Sequence, residues 1–126
     1  MNEKERLLVN DLCERLSYDV KLYNKQTKVT VFLSEFSPLP NETPLNLIKR
    51  LVRDGWIPYL RPMSSMSDKE KNDYAILLRW LNNVQDMSLV PWTCMSMISW
   101  LRANHFDYNE LLKKELAIEA PNGTYE

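Results

Sequence analysis

His105 is the only histidine in this 126-residue chain, and it stands two positions before Asp107 in His-Phe-Asp-Tyr. An imidazole beside a carboxylate is the smallest acid/base unit: the ring moves a proton and the acid fixes its tautomer. The same Asp107 also precedes Glu110 by three positions, the spacing of a helix-capping box. An aspartate that accepts backbone N–H groups is spent on structure, so capping is the stronger expectation for Asp107 and connector the stronger one for His105. Metal chemistry finds less support. Cys13 and Cys94 are 81 positions apart, and with one histidine they make no zinc-ligand pattern. No acidic cluster has calcium or magnesium spacing. Two glycines leave no phosphate loop, nucleophile elbow or dinucleotide fingerprint. No catalytic residue, metal or cofactor is therefore expected.

Two stretches carry recognition chemistry. Lys49, Arg50, Arg53 and Arg61 against Asp54 alone give residues 49–61 a local charge of +3, with Trp56 and Tyr59 interleaved. Cations beside aromatic rings suit phosphate contact with base stacking, the pattern of single-strand nucleic-acid binders. Against this, the same cations fit the solvated side of a helix over 44–54 while both rings pack inward. The second stretch is richer in apolar side chains. Met63, Met66, Met87, Met95 and Met97 gather with Trp80, Trp92 and Trp100 in the second half of the chain. Methionine fills irregular cores, and where such a set is exposed it makes an adaptable binding surface. Trp92, Met95 and Trp100 are the expected contact residues, facing a protein partner or a second copy. A helix-turn-helix over 92–114 is disfavoured by its net charge: Arg102, Lys113 and Lys114 are cancelled by Asp107, Glu110 and Glu115.

These stretches sit in a chain of ordinary globular composition. Sixteen Lys and Arg against 17 Asp and Glu leave a net charge of −1, which rules out binding driven by bulk positive charge. No apolar run reaches the roughly 20 residues of a membrane span, and the first residues lack the apolar core of a signal peptide. The cytoplasm is the expected compartment, so the thiols are read as reduced, apolar side chains and not as a disulfide. The sequons at Asn41 and Asn122 then carry no weight.

The elements that must position these residues follow from periodicity and caps. Leu8, Val9, Leu12, Cys13 and Leu16 make an apolar helix face over 3–16, leaving Glu5, Arg6, Asn10, Glu14 and Arg15 to solvent. Alternation predicts a β-hairpin over 19–33, with Val20, Leu22, Val29, Val31 and Leu33 on the core face and Tyr23, Thr30 and Phe32 opposite. Thr43-Pro44 starts a helix and Asp54-Gly55 stops it. Residues 56–60 read as extended, an edge strand or a loosely paired segment, because Pro58 cannot donate to a ladder. Ser67 and Glu70 cap a helix over 68–83 with Tyr74, Leu77, Leu78 and Leu81 on one side and Ile76 and Trp80 beside them. A helix follows to about residue 103, with Asn104 as its left-handed stop, then a short one over 107–114 with Tyr108, Leu111 and Leu112 inward. From Pro121 the chain reads as a frayed tail.

Two segments resemble a known group. Tyr59-Leu60-Arg61-Pro62-Met63-Ser64-Ser65-Met66-Ser67, and Asn104-His105-Phe106-Asp107-Tyr108 with Leu116-Ala117-Ile118-Glu119-Ala120-Pro121, are similar to stretches of short uncharacterised bacterial and phage proteins. The resemblance implies a bacterial or phage-borne protein, in the setting of a mobile element, and implies no activity, cofactor or site residue. The expected whole is one α+β domain over 1–126: a small antiparallel sheet built on the 19–33 hairpin, with four or five helices. Its favoured function is a non-catalytic accessory domain working by protein–protein contact. Nucleic-acid binding through 49–61 comes second, and an enzyme centred on His105 and Asp107 third.

Overall fold

A computed structural model describes residues 1–125. Four helices, α1 (Glu3–Glu14), α2 (Pro44–Arg53), α3 (Asp68–Asn82) and α4 (Val90–Ala103), accompany four strands. The strands are β1 (Lys21–Asn24), β2 (Thr30–Phe32), β3 (Trp56–Leu60) and β4 (Ile118–Glu119), in the order β2-β1-β3-β4. β1 runs antiparallel to β2 and β3, whereas β4 is parallel to β3. The class is α+β, but the sheet is mixed and not a simple hairpin. The helices number four.

Local sequence accounts for the helix ends. Asn2 and Thr43 accept the backbone N–H of Glu5 and Asn46, and Pro44 opens α2 at a position whose N–H has no helical partner. Gly55, at φ +92°, lets the chain leave α2 through a conformation other residues resist. Ser67 and Glu70 form the capping box at the head of α3. Leu8, Val9 and Leu12 of α1 and Leu47, Ile48, Leu51 and Val52 of α2 close over Val20, Leu22, Ile57 and Leu60 of the sheet region, which is the main core.

Several expectations are corrected. β3 lies inside the sheet and not at its edge. The backbone bond from Lys25 to the Gly55 carbonyl sets the ladder parity, so that Leu22 and Pro58 form a non-bonded pair and the missing N–H of Pro58 faces the β4 side. β4 pairs only from Tyr59 onward, so no donor is missed there. Val29 is exposed, because the hairpin loop extends through Lys28, at φ +62°, and Asn24 holds that loop by accepting the N–H groups of Gln26 and Thr27. Leu16 and Trp80 are exposed as well. Residues 107–115 form turns and no helix: Glu110 at φ +57° and Glu115 at φ +61° break the helical run, and Asp107 accepts from Leu111 and Leu112 instead of capping a first turn. Asn104 ends α4 at φ −98°, and it is His105 that takes the left-handed conformation.

Tyr125 is tied to the sheet by two hydrogen bonds. At the Lys21–Tyr59 position the ladder parity calls for a direct bond from Lys21 N–H to the Tyr59 carbonyl. The Tyr125 hydroxyl stands there instead, accepting from Lys21 at 3.0 Å and donating to Tyr59 at 2.6 Å. Beyond this splice, residues 105–107 take the flank of β3 that β1 leaves: Arg61 N–H donates to the His105 carbonyl and Asp107 N–H to the Arg61 carbonyl.

The largest departure is Arg15, assigned to solvent by its place on α1 and fully buried in the structure. Its Nε donates to Asp11 Oδ1 at 2.6 Å and its Nη2 to the Phe106 carbonyl at 2.8 Å. Asp11, also fully buried, accepts in addition from Asn109 Nδ2 at 2.8 Å, and the guanidinium lies 4.8 Å from the Tyr108 ring centre. One helical turn of α1 thereby fastens residues 106–109.

Three variants test these joints. Asp11→Ala strands a buried guanidinium and is expected to cost about 3–5 kcal/mol in urea unfolding. Asp11→Leu with Arg15→Met, which removes both charges, is expected to cost markedly less. Tyr125→Phe leaves the Lys21 N–H and the Tyr59 carbonyl without their shared partner and should cost about 1–3 kcal/mol. It should also speed amide exchange at Lys21; unchanged exchange there would contradict the splice.

Candidate functional site

The His105 and Asp107 side chains do not work together. Asp107 is buried, and its two oxygens take the N–H groups of Leu111 and Leu112 at 2.8 and 2.9 Å. The His105 ring stacks on Tyr125 with centroids 3.6 Å apart, and its Nδ1 is buried without a hydrogen-bond partner among the described residues. Burial, reinforced by the nearby charges of Arg15 and Arg61, pulls the ring's pKa down to about 4. The ring is thus neutral near pH 7 and lies against an aromatic face. A cleft of about 500 Å³ opens beside it, lined by Arg61, Ser67, Glu70, Asn104 and Tyr125 among others. Several of its polar groups are already committed: Arg61 to Glu70, Ser67 to Glu70, Asn104 to the Trp100 carbonyl, and Tyr125 to the ladder. No group of three or more metal-ligating side chains occurs among the described residues. Both cysteines are free, and burial raises the Cys13 thiol's pKa.

The basic segment 49–61 is divided by the fold. Arg50 makes a two-pronged pair with Glu42 at 2.9 and 3.0 Å, and Arg61 one with Glu70 at 2.6 and 2.7 Å. The guanidinium bonds hold the carboxyl groups of Glu42 and Glu70 down at about 2. Arg61 also lies 4.3 Å from the Phe106 ring centre. Lys49 and Arg53 open on a shallow depression shared with Asn2 and Glu5. Trp56 sits edge-on to Phe36 against the main core, and Tyr59 edge-on to Tyr23 with its hydroxyl 3.3 Å from Thr30 Oγ1. Trp56 and Tyr59 are three apart on one strand, so they face opposite sides of the sheet. The fold brings a carboxylate to two of the four cations, and no single surface carries all six residues.

The third set, Trp92, Met95 and Trp100, lies on α4, which pairs with α3 as an antiparallel hairpin. At the base of this hairpin a second small core forms. Leu101, Phe106 and Met66 are buried, and Trp100 is half-buried between the Tyr74 and Phe106 rings, at 5.9 and 5.7 Å. Trp92 lies eight residues, about 12 Å, up the helix from Trp100. There the environment differs. α3 has no buried residue, and α4 has only Leu101. Trp92 is 75% exposed, Met87 76%, Trp80 61% and Met95 52%, with Leu89 similar. The structure therefore keeps Trp92 and Met95 together on an open surface, assigns Trp100 to the base, and adds Trp80, Met87 and Leu89. A signal for these was present in the sequence: from Trp80 to Leu101 the sole charged residue is Asp86. A solvated helix needs a charged face, and α4 carries one charge, Arg102. No helix among the described residues is long and apolar enough to cross a membrane.

The His105 environment has a pH signature. Its folded pKa is depressed below the ordinary 6.5, so the unfolded chain binds the extra proton first. Stability should therefore fall as pH drops from about 6.5 to about 4, and His105→Gln should flatten the unfolding midpoint across that window. A wild-type midpoint independent of pH there would place His105 in water. No protein-family model, curated protein or solved structure matches this chain, so its own geometry is the guide to what it does.

Proposed function

We propose that this chain is a non-catalytic interaction domain that binds another polypeptide through the tip of its α3–α4 hairpin. The observation that carries the reading is the exposure of Trp80, Met87, Leu89, Trp92 and Met95 at one end of a helix pair that packs on the rest of the molecule only at its base. A folded chain exposes single apolar side chains freely, but two indoles and two thioethers on one charge-poor tip are the composition of a binding surface. Tryptophan supplies large contact area with few rotamers to freeze, and methionine adapts to an irregular partner. The catalytic and nucleic-acid readings have less behind them, because Asp107, Arg50 and Arg61 are engaged within the chain.

A photo-reactive phenylalanine analogue tests this. Placed at position 92 in cells, it should give discrete protein adducts, whereas the same group at position 39, exposed but remote from the hairpin, should not. Equal labelling from both positions, or none from position 92, would sink the proposal.

A further inference from the structure

The hairpin tip makes few demands on water or on opposite charge. Between Trp80 and Leu101, Asp86 alone is charged, so two such surfaces meet with little like-charge repulsion while a strongly charged partner finds nothing to hold. Two of the three hydroxyls on α4 bond along their own helix: Thr93 Oγ1 donates to the Leu89 carbonyl and Ser96 Oγ to the Trp92 carbonyl, each at 3.0 Å. Covering the face about Trp92 therefore leaves these two hydroxyls bonded.

The open area is that of a small interface. With up to about 250 Å² per indole, Trp80 and Trp92 together leave on the order of 300 Å² open. Met87, Leu89 and Met95, each more than half exposed, add roughly 200 Å². Half-buried Leu81, Val84 and Val90 flank them. Together the five open side chains offer about 500 Å², below the ~800 Å² per partner of a standard interface and in the range of a small one. An antiparallel helix pair is one layer thick, and a second pair laid on it closes a four-helix arrangement that gives both layers a shared core. Related by a two-fold axis, the surface is its own complement.

We infer that the chain forms a two-fold homodimer through its α3–α4 hairpin tips, with Trp92 and Met95 at the seam. This rests on the interaction reading above and names the partner as a second copy.

Sedimentation equilibrium of the full chain over roughly 1 to 100 µM is the test. The mass should rise toward twice the 14.9 kDa of one chain. Trp92→Asp and, separately, Met95→Asp should weaken association by roughly thirtyfold or more. Their exposed positions should leave the far-UV circular dichroism unchanged, and the urea midpoint unchanged at concentrations where the wild type is a single chain. Leu39→Asp should leave the mass unchanged. A single-chain mass throughout would overturn the dimer, as would a dimer indifferent to both hairpin substitutions. A single chain that co-sediments with phosphatidylcholine–phosphatidylglycerol vesicles would assign the face to lipid and overturn it too. If the mass stays single while position 92 still cross-links to a different polypeptide, the dimer falls and the interaction reading stands; if neither occurs, both fall.

Discussion

A guanidinium with no exposed atom must be matched where it stands, and Arg15 sets that condition for the whole molecule. Its charge is balanced one helical turn back by Asp11, and its Nη2 reaches the Phe106 carbonyl 91 residues away, while Nη1 is buried without a partner among the described residues. Asp11 in turn needs Asn109 for its second oxygen. These partners offset part of the desolvation cost of such a pair, which couples α1 to the 106–109 turn. A second tier repeats the logic nearer the surface: Tyr108 donates to Glu14, accepts from Arg102, and lies between the two guanidinium groups. The start of the chain and the end of α4 are thereby tied to one loop.

From that loop the sheet is completed. With Phe106 held, residues 105–107 lie along Arg61 of the β3 extension, and β1 must diverge from β3 to make room. The Tyr125 hydroxyl occupies the fork, and its ring covers His105. This explains why the lone imidazole is neutral and far from acid/base service. Its surroundings are a stacking surface and two cations, without a free carboxylate. The left-handed backbone at His105 belongs to the same turn, since the chain must reverse from α4 into the sheet within two residues.

The helical hairpin stands apart from this network. It is anchored where Trp100 stacks between Tyr74 and Phe106, and outward from Leu101 neither α3 nor α4 has a buried residue. The contrast within one helix is instructive. Trp100 and Trp92 have the same chemistry, yet one seals a small core and the other faces water, because the sheet-and-loop body ends before the second is reached. A layer of two helices cannot bury both of its sides, and where charges are withheld from the outer side a second surface is the natural complement.

By itself the sequence determined the parts whose cause is local. The periodicity of α1 and α2, the Thr43-Pro44 start, the Gly55 stop and the Ser67–Glu70 box depend on neighbours within four residues, and each stands where the sequence placed it. The β1 alternation is similarly local. What tertiary structure alone decided involves groups distant in sequence competing for the same backbone. Asp107 and Glu110 match a capping box, but Asp107 is drawn to Leu111 and Leu112 by a chain bent at Glu110, so no helix forms. Arg15 falls on the polar side of its helix by spacing, and only the arrival of Phe106 and Asn109 makes that side an interior. Arg50 and Arg61 look like free cations until Glu42 and Glu70 are folded against them. Apolar side chains identify what seeks burial, but whether a body lies close enough to bury them is a property of three-dimensional reach, and at Trp80 and Trp92 this chain has none to offer.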